Sequence, residues 1–66
     1  MKIKYQGNEE ETSATNVAEV LAEKGVVAKT AIVEYGGEIY GADSDFSALV
    51  LADGAELNVF NIVSGG

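Results

Sequence analysis

Only one stretch of this sequence has helical periodicity, and it is short. Val17, Val20 and Leu21 fall at i, i+3 and i+4 and make a single apolar stripe. Asn16 suits the N-cap, and Glu19 stands three residues on, as a capping box requires. Lys24 sits in the last turn, where a cation complements the helix dipole, and Gly25 supplies a left-handed stop. The result is a helix of about eight residues, roughly 12 Å long. A helix that short, apolar on one side, has to lie across a sheet, so the rest of the chain must supply the strands.

The strands can be read from alternation and turn residues. Met1 to Tyr5 alternates apolar and charged, Gln6-Gly7-Asn8 is a turn, and Glu9 to Thr12 returns as a short edge. The run Glu9-Glu10-Glu11 on that edge discourages pairing with another chain. After the helix, Val26-Val27-Ala28 reads as a connection packed at the edge of the core. Thr30 to Tyr35 is a strand with Ala31, Val33 and Tyr35 on one face. Gly36-Gly37 is a two-residue hairpin turn, and Glu38-Ile39-Tyr40 comes back. Gly41 to Ser44 is loop, Asp45 to Ala48 a single helical turn with Phe46 pointing inward, and Ala52-Asp53-Gly54 a turn.

The last strand is the richest in branched and aromatic side chains, Glu56-Leu57-Asn58-Val59-Phe60-Asn61-Ile62-Val63, and it runs into Ser64-Gly65-Gly66. Alternation puts Leu57 and Val59 against the helix, with Val63 completing the same edge. Phe60 and Ile62 then point to the opposite face, together with Ile32 of the neighbouring strand. Three large apolar groups on an open face imply a second core layer or a partner. The expected fold class is α+β, a mixed sheet of four to five strands with the first and last strands central and one helix across one face.

Residues 64–66 are expected to be a flexible tail. Glycine lacks a Cβ, so Gly65 and Gly66 are thin and free in φ and ψ. Such a tail can thread a narrow channel and present a carboxylate inside another protein's active site. The alternative is an ordinary frayed terminus.

Composition narrows the function. Sixty-six residues make one domain, which buries only about 60% of the surface its unfolded chain exposes. Function is therefore expected on a surface or at an end. The sequence has neither Cys nor His, which removes disulfides, thiol nucleophiles, the usual zinc ligands and the best proton shuttle near neutral pH. No metal site and no bound cofactor are expected. Eleven acidic residues against four lysines give a net charge of −7, a poor field for nucleic acid. It accounts for solubility, and it also suits a partner with a basic docking face. With no apolar run long enough for a membrane span, the reading is a soluble cytoplasmic protein. Asp43 and Asp45 could be imagined as a catalytic carboxylate pair, but loop solvation is the better account of them.

The sequence resembles the ubiquitin-like β-grasp family and, within it, the ThiS sulfur carriers of thiazole biosynthesis. The resemblance is carried by Met1-Lys2-Ile3, by Asn16-Val17-Ala18-Glu19-Val20-Leu21 and by Ala31 through Ile39. It continues in Leu51-Ala52-Asp53-Gly54-Ala55-Glu56 and in Phe60 through Gly66. The sequence departs from the family pattern at Gly36-Gly37, where Asn-Gly is frequent, and at Gly41-Ala42, where Pro-Arg is frequent.

The resemblance implies a carrier that is not itself an enzyme. Gly66 would be adenylated from ATP by a ThiF-like activating enzyme and converted to a thiocarboxylate by sulfur from a cysteine-desulfurase-derived persulfide. A ThiG-like thiazole synthase would then take the sulfur. Phe60, Ile62 and Ile32 would dock the partner, and Ser64 and Gly65 would thread the tail. Three other functions use the same features: a molybdenum-cofactor-type sulfur carrier, a ubiquitin-like modifier joined to lysines through Gly66, and a non-catalytic β-grasp interaction module.

Overall fold

The structure, a computed structural model, describes residues 1–61. Ile62, Val63 and the tail expected at 64–66 lie outside the described residues. In chain order the elements are β1 (Lys2–Tyr5), β2 (Asn8–Glu11), α1 (Val17–Glu23), β3 (Ala31–Tyr35), β4 (Glu38–Tyr40) and β5 (Ala55–Asn61). Two 3-10 turns, Ala28–Thr30 and Phe46–Ala48, join them. The five strands form one sheet in the order β2-β1-β5-β3-β4, a ubiquitin-like β-grasp with the first and last strands at the centre as expected.

Both hairpins close through two-residue loops. Gly36 and Gly37 have φ of +63° and +82°, the pair of positive values a type I′ loop requires and glycine adopts without strain. The first hairpin does the same with Gln6 and Gly7, at φ +52° and +83°. Antiparallel pairing follows on each side, Lys4 opposite Glu9 and Glu34 opposite Ile39.

β5 is hydrogen-bonded on both edges. It runs parallel to β1, with Tyr5 beside Leu57, and antiparallel to β3, with Val33 beside Val59. Its start is tied to β1 twice: the Lys2 N–H donates to Asp53 Oδ1 at 2.8 Å, and the Gly54 N–H donates to the Lys2 carbonyl at 2.7 Å.

The helix begins as its sequence dictates, with one adjustment. Asn16 Oδ1 accepts the Glu19 N–H at 2.9 Å, the expected N-cap bond. The reciprocal bond of the expected capping box reaches one residue further back. Glu19 Oε1 accepts from the Thr15 N–H at 2.6 Å and the Thr15 hydroxyl at 3.0 Å, not from Asn16. The C-terminus is a Schellman motif. The Gly25 N–H donates to the Ala22 carbonyl and the Val26 N–H to the Leu21 carbonyl, with Gly25 at φ +70°. Val26 packs on the core as the motif's apolar contact, whereas Val27 turns outward. Lys24, expected to serve the helix dipole, instead pairs with Glu10 of β2 and lies 4.8 Å from the centroid of the Tyr5 ring. It ties the helix end to the first hairpin.

The core lies between α1 and one face of the sheet. Val17, Val20 and Leu21 of the helix meet Ile3, Val33, Leu57 and Val59 of the strands, and Phe46 and Leu51 close the side. Residues 49–51 run antiparallel beside the helix start, the Val17 N–H donating to the Leu49 carbonyl and the Leu51 N–H to the Thr15 carbonyl. The Tyr35 hydroxyl fastens this segment to the sheet by donating to the Val50 carbonyl at 2.7 Å.

Two expectations about stability follow. Leu57 is fully buried at the middle of the central strand, so Leu57→Ala should cost about 2–5 kcal/mol in a denaturant melt. The hydrogen bonds from Thr15 hold the Glu19 carboxyl below its ordinary pKa. A folded-state pKa below the unfolded one gives stability that is present above the unfolded pKa and lost as pH falls through the folded pKa. Glu19→Gln should therefore flatten the acid limb of the stability–pH curve below about pH 5, where an ordinary Glu begins to protonate.

Candidate functional site

The candidate site is the open face of the sheet near the end of β5. Strand alternation divides β5 cleanly. Leu57 and Val59 are buried against the helix side, while Phe60 is 55% exposed on the other face. Ile32 stands directly beside Phe60 in the β3–β5 register and is half-buried. The structure thus brings Phe60 and Ile32 together on the face expected for them, while Ile62 lies outside the described residues.

A third apolar residue of this face escapes the sequence reading. Ile39 of β4 is 64% exposed and pairs with Glu34, diagonal to Ile32. Its signal was present in the sequence. A two-residue loop at Gly36-Gly37 places Ile39 opposite Glu34, and Tyr40 turned toward the core puts Ile39 outward.

Beyond the apolar patch the face becomes polar, then charged. Asn58 Nδ2 donates to Glu34 Oε1 at 3.0 Å across β5 and β3. On the far side, Lys4 is in register with both Glu9 and Glu56, and Lys2 with Glu11. The face therefore grades from apolar on β3–β5 to mixed charge on β1–β2.

The last described residues of β5 are held from both sides by side chains. On the β1 side, Gln6 Nε2 donates to the Val59 carbonyl at 2.7 Å, and the Val59 N–H donates to Gln6 Oε1 at 2.9 Å. On the β3 side, the Thr30 hydroxyl donates to Asn61 Oδ1 at 2.6 Å. Neither Gln6 nor Thr30 stands out in the sequence, where one reads as a turn residue and the other as the first residue of a strand.

Asp45, by contrast, is committed to structure. Asp45 Oδ1 accepts from the Ser47 N–H and hydroxyl and so caps the turn that carries Phe46 into the core. A shallow concavity of about 550 Å³ lies at the opposite end of β5, between the Gly36-Gly37 and Asp53-Gly54 turns. Two of its carboxylates, Glu34 and Asp53, already accept hydrogen bonds from Asn58 and from the Lys2 N–H. Among the described residues no three carboxylates gather where they could hold a metal ion, and no helix is long and apolar enough to cross a membrane.

Solved structures share this architecture over the full chain. The crystal structure of the thiamine biosynthesis protein ThiS from Geobacter metallireducens matches with a TM-score of 0.77 at 26% identity, covering 100% of both chains. The NMR solution structure of a thiamine biosynthesis protein from the same organism matches with a TM-score of 0.75 at 26% identity, over 100% of this chain and 88% of that one. No family model matches the sequence, and no curated protein does. The likeness to ThiS carried by the sequence is thus borne out by the fold and by the full-length match.

The division of faces has a direct test. Phe60→Ala should lower stability by about 1 kcal/mol or less, as for an exposed position, and leave the m-value unchanged. A loss equal to that of Leu57→Ala would mean that the two faces of β5 are the reverse of those described.

Proposed function

We propose that the protein is a sulfur carrier for thiazole formation in thiamin biosynthesis, with Gly66 as its reacting residue. The observation that carries this reading is the full-length structural likeness to ThiS in a chain whose central strand leads into Ser64-Gly65-Gly66. The open apolar patch of Phe60, Ile32 and Ile39 supports it by supplying a docking surface on the same strand.

The chemistry follows from the poor reactivity of a carboxylate, whose leaving group would be oxide. A ThiF-like adenylating enzyme would let the Gly66 carboxylate attack the α-phosphorus of ATP, releasing pyrophosphate and forming an acyl-adenylate. The terminal sulfur of a persulfide, supplied through a cysteine desulfurase, would then attack the acyl carbon and expel AMP. A thiol would cleave the resulting S–S bond, forming a disulfide with the former persulfide cysteine and leaving a thiocarboxylate on Gly66. That group is ionised at neutral pH and nucleophilic, suited to giving up its sulfur in a thiazole synthase of the ThiG type. In this scheme the protein contributes a carboxylate and a docking surface, and acts as a cosubstrate in the cytoplasm.

The test is ATP–pyrophosphate exchange with the cognate adenylating enzyme. Deleting Gly66, or adding one residue after it, should leave the melting temperature unchanged while abolishing exchange. Either change displaces the carboxylate by about 3.5 Å along an extended chain. An error of about 1 Å in attack geometry is enough to cost on the order of a hundredfold. Equal exchange by native and altered proteins would mean that Gly66 is not the reacting end. Phe60→Ala should instead raise the KM for the carrier.

A further inference from the structure

β1 makes its last backbone pair at Tyr5, beside Leu57, and the Gln6 N–H still reaches the Leu57 carbonyl at 3.0 Å. The chain then turns away into the first hairpin. Both backbone polar groups of Val59 point to this side, two residues beyond the reach of β1. The Gln6 side chain fills that place. Its amide gives Val59 one donor and one acceptor, as another residue of a strand would.

The backbone of Gln6 adds a second observation. At φ +52° it is the only non-glycine residue with positive φ among those described, at a loop position that favours Asn or Gly. Asn would suit the turn better but is one methylene too short to bridge to Val59. The turn has a less favourable residue, and that residue has the reach to hold β5.

We propose that Gln6 is a positioning residue for the tail, its amide extending the order of β5 past the end of β1 to fix the base from which Gly66 is presented. The inference rests on the sulfur-carrier reading. Gly66 lies five residues beyond Asn61, so the point at which β5 is held sets the length of chain between the anchored strand and the reacting carboxylate. Without the Gln6 amide, β5 beyond Leu57 is held at Val59 by its β3 edge alone, and each opening of the strand end lengthens the arm of chain that carries Gly66. A longer arm dilutes the carboxylate at the adenylating site.

Two variants test this. Gln6→Asn keeps a side chain that tolerates the turn, and Gln6→Met keeps the length without the hydrogen bonds. In amide hydrogen exchange, both should lower protection at Val59 by roughly tenfold while the amides paired between β3 and β4 hold their native values. In ATP–pyrophosphate exchange, kcat should fall roughly threefold to tenfold with the KM for the carrier unchanged, because docking through Phe60 is intact. Native protection at Val59, a native kcat, or a loss of protection shared by every strand would each overturn the proposal. If the native protein itself supports no exchange, the carrier reading fails and the positioning role falls with it. Native exchange with unaltered variants overturns the role of Gln6 alone.

Discussion

The whole fold depends on a single strand paired along both edges. β5 has β1 on one side and β3 on the other, parallel to the first and antiparallel to the second. Parallel neighbours cannot be joined by a tight turn, so the chain between β1 and β5 must make a crossover. Within that crossover fit the return strand, the helix and the second hairpin. A seven-residue helix covers one face of such a sheet and leaves the other open. The separation of a core face from an open face is therefore a consequence of topology before any particular side chain is considered.

Keeping the two faces distinct requires that β5 not slip. A shift of one residue would carry Leu57 and Val59 outward and bring Asn58 and Phe60 into the core. The register is pinned at intervals along the strand: by Lys2 with Asp53 and Gly54 at its start, by the Asn58–Glu34 hydrogen bond in its middle, and by Gln6 at Val59. Most of these pins are hydrogen bonds to backbone, which specify position without demanding volume. A chain this small has little apolar area to spare for specificity, so polar pins suit it.

The elements legible in the sequence were those with local causes. Asn16, Gly25 and Gly36-Gly37 each have a backbone role that residue type alone reveals, and the alternation of β5 assigned Leu57 and Phe60 to opposite faces. What the sequence hid depends on partners far along the chain. Lys24 was read against its own helix, but Glu10 and Tyr5, brought near by the first hairpin, offered a nearer charge and a ring face. Glu19 is the local exception: its partner Thr15 is only four residues back, where the backbone before the N-cap turns the Thr15 N–H and hydroxyl to the same carboxylate. Of the candidate site, Phe60 and Ile32 were readable from period two. Ile39 needed the hairpin register as well, and Gln6 needed the position of β5, which no local pattern encodes.

On the carrier reading, charge and apolar surface serve different steps of an encounter. A net charge of −7 acts over about a Debye length and raises the rate of approach to a basic face without fixing any contact. Fixing falls to the patch of Phe60, Ile32 and Ile39, on the part of the open face that carries little charge. Three side chains, one of them half-buried, offer far less area than a stable interface needs. The result is fast arrival and short residence, since the patch limits how slowly the complex can come apart. A protein that must be loaded by one enzyme and unloaded by another requires that combination. Tight docking at the first would hold back delivery to the second.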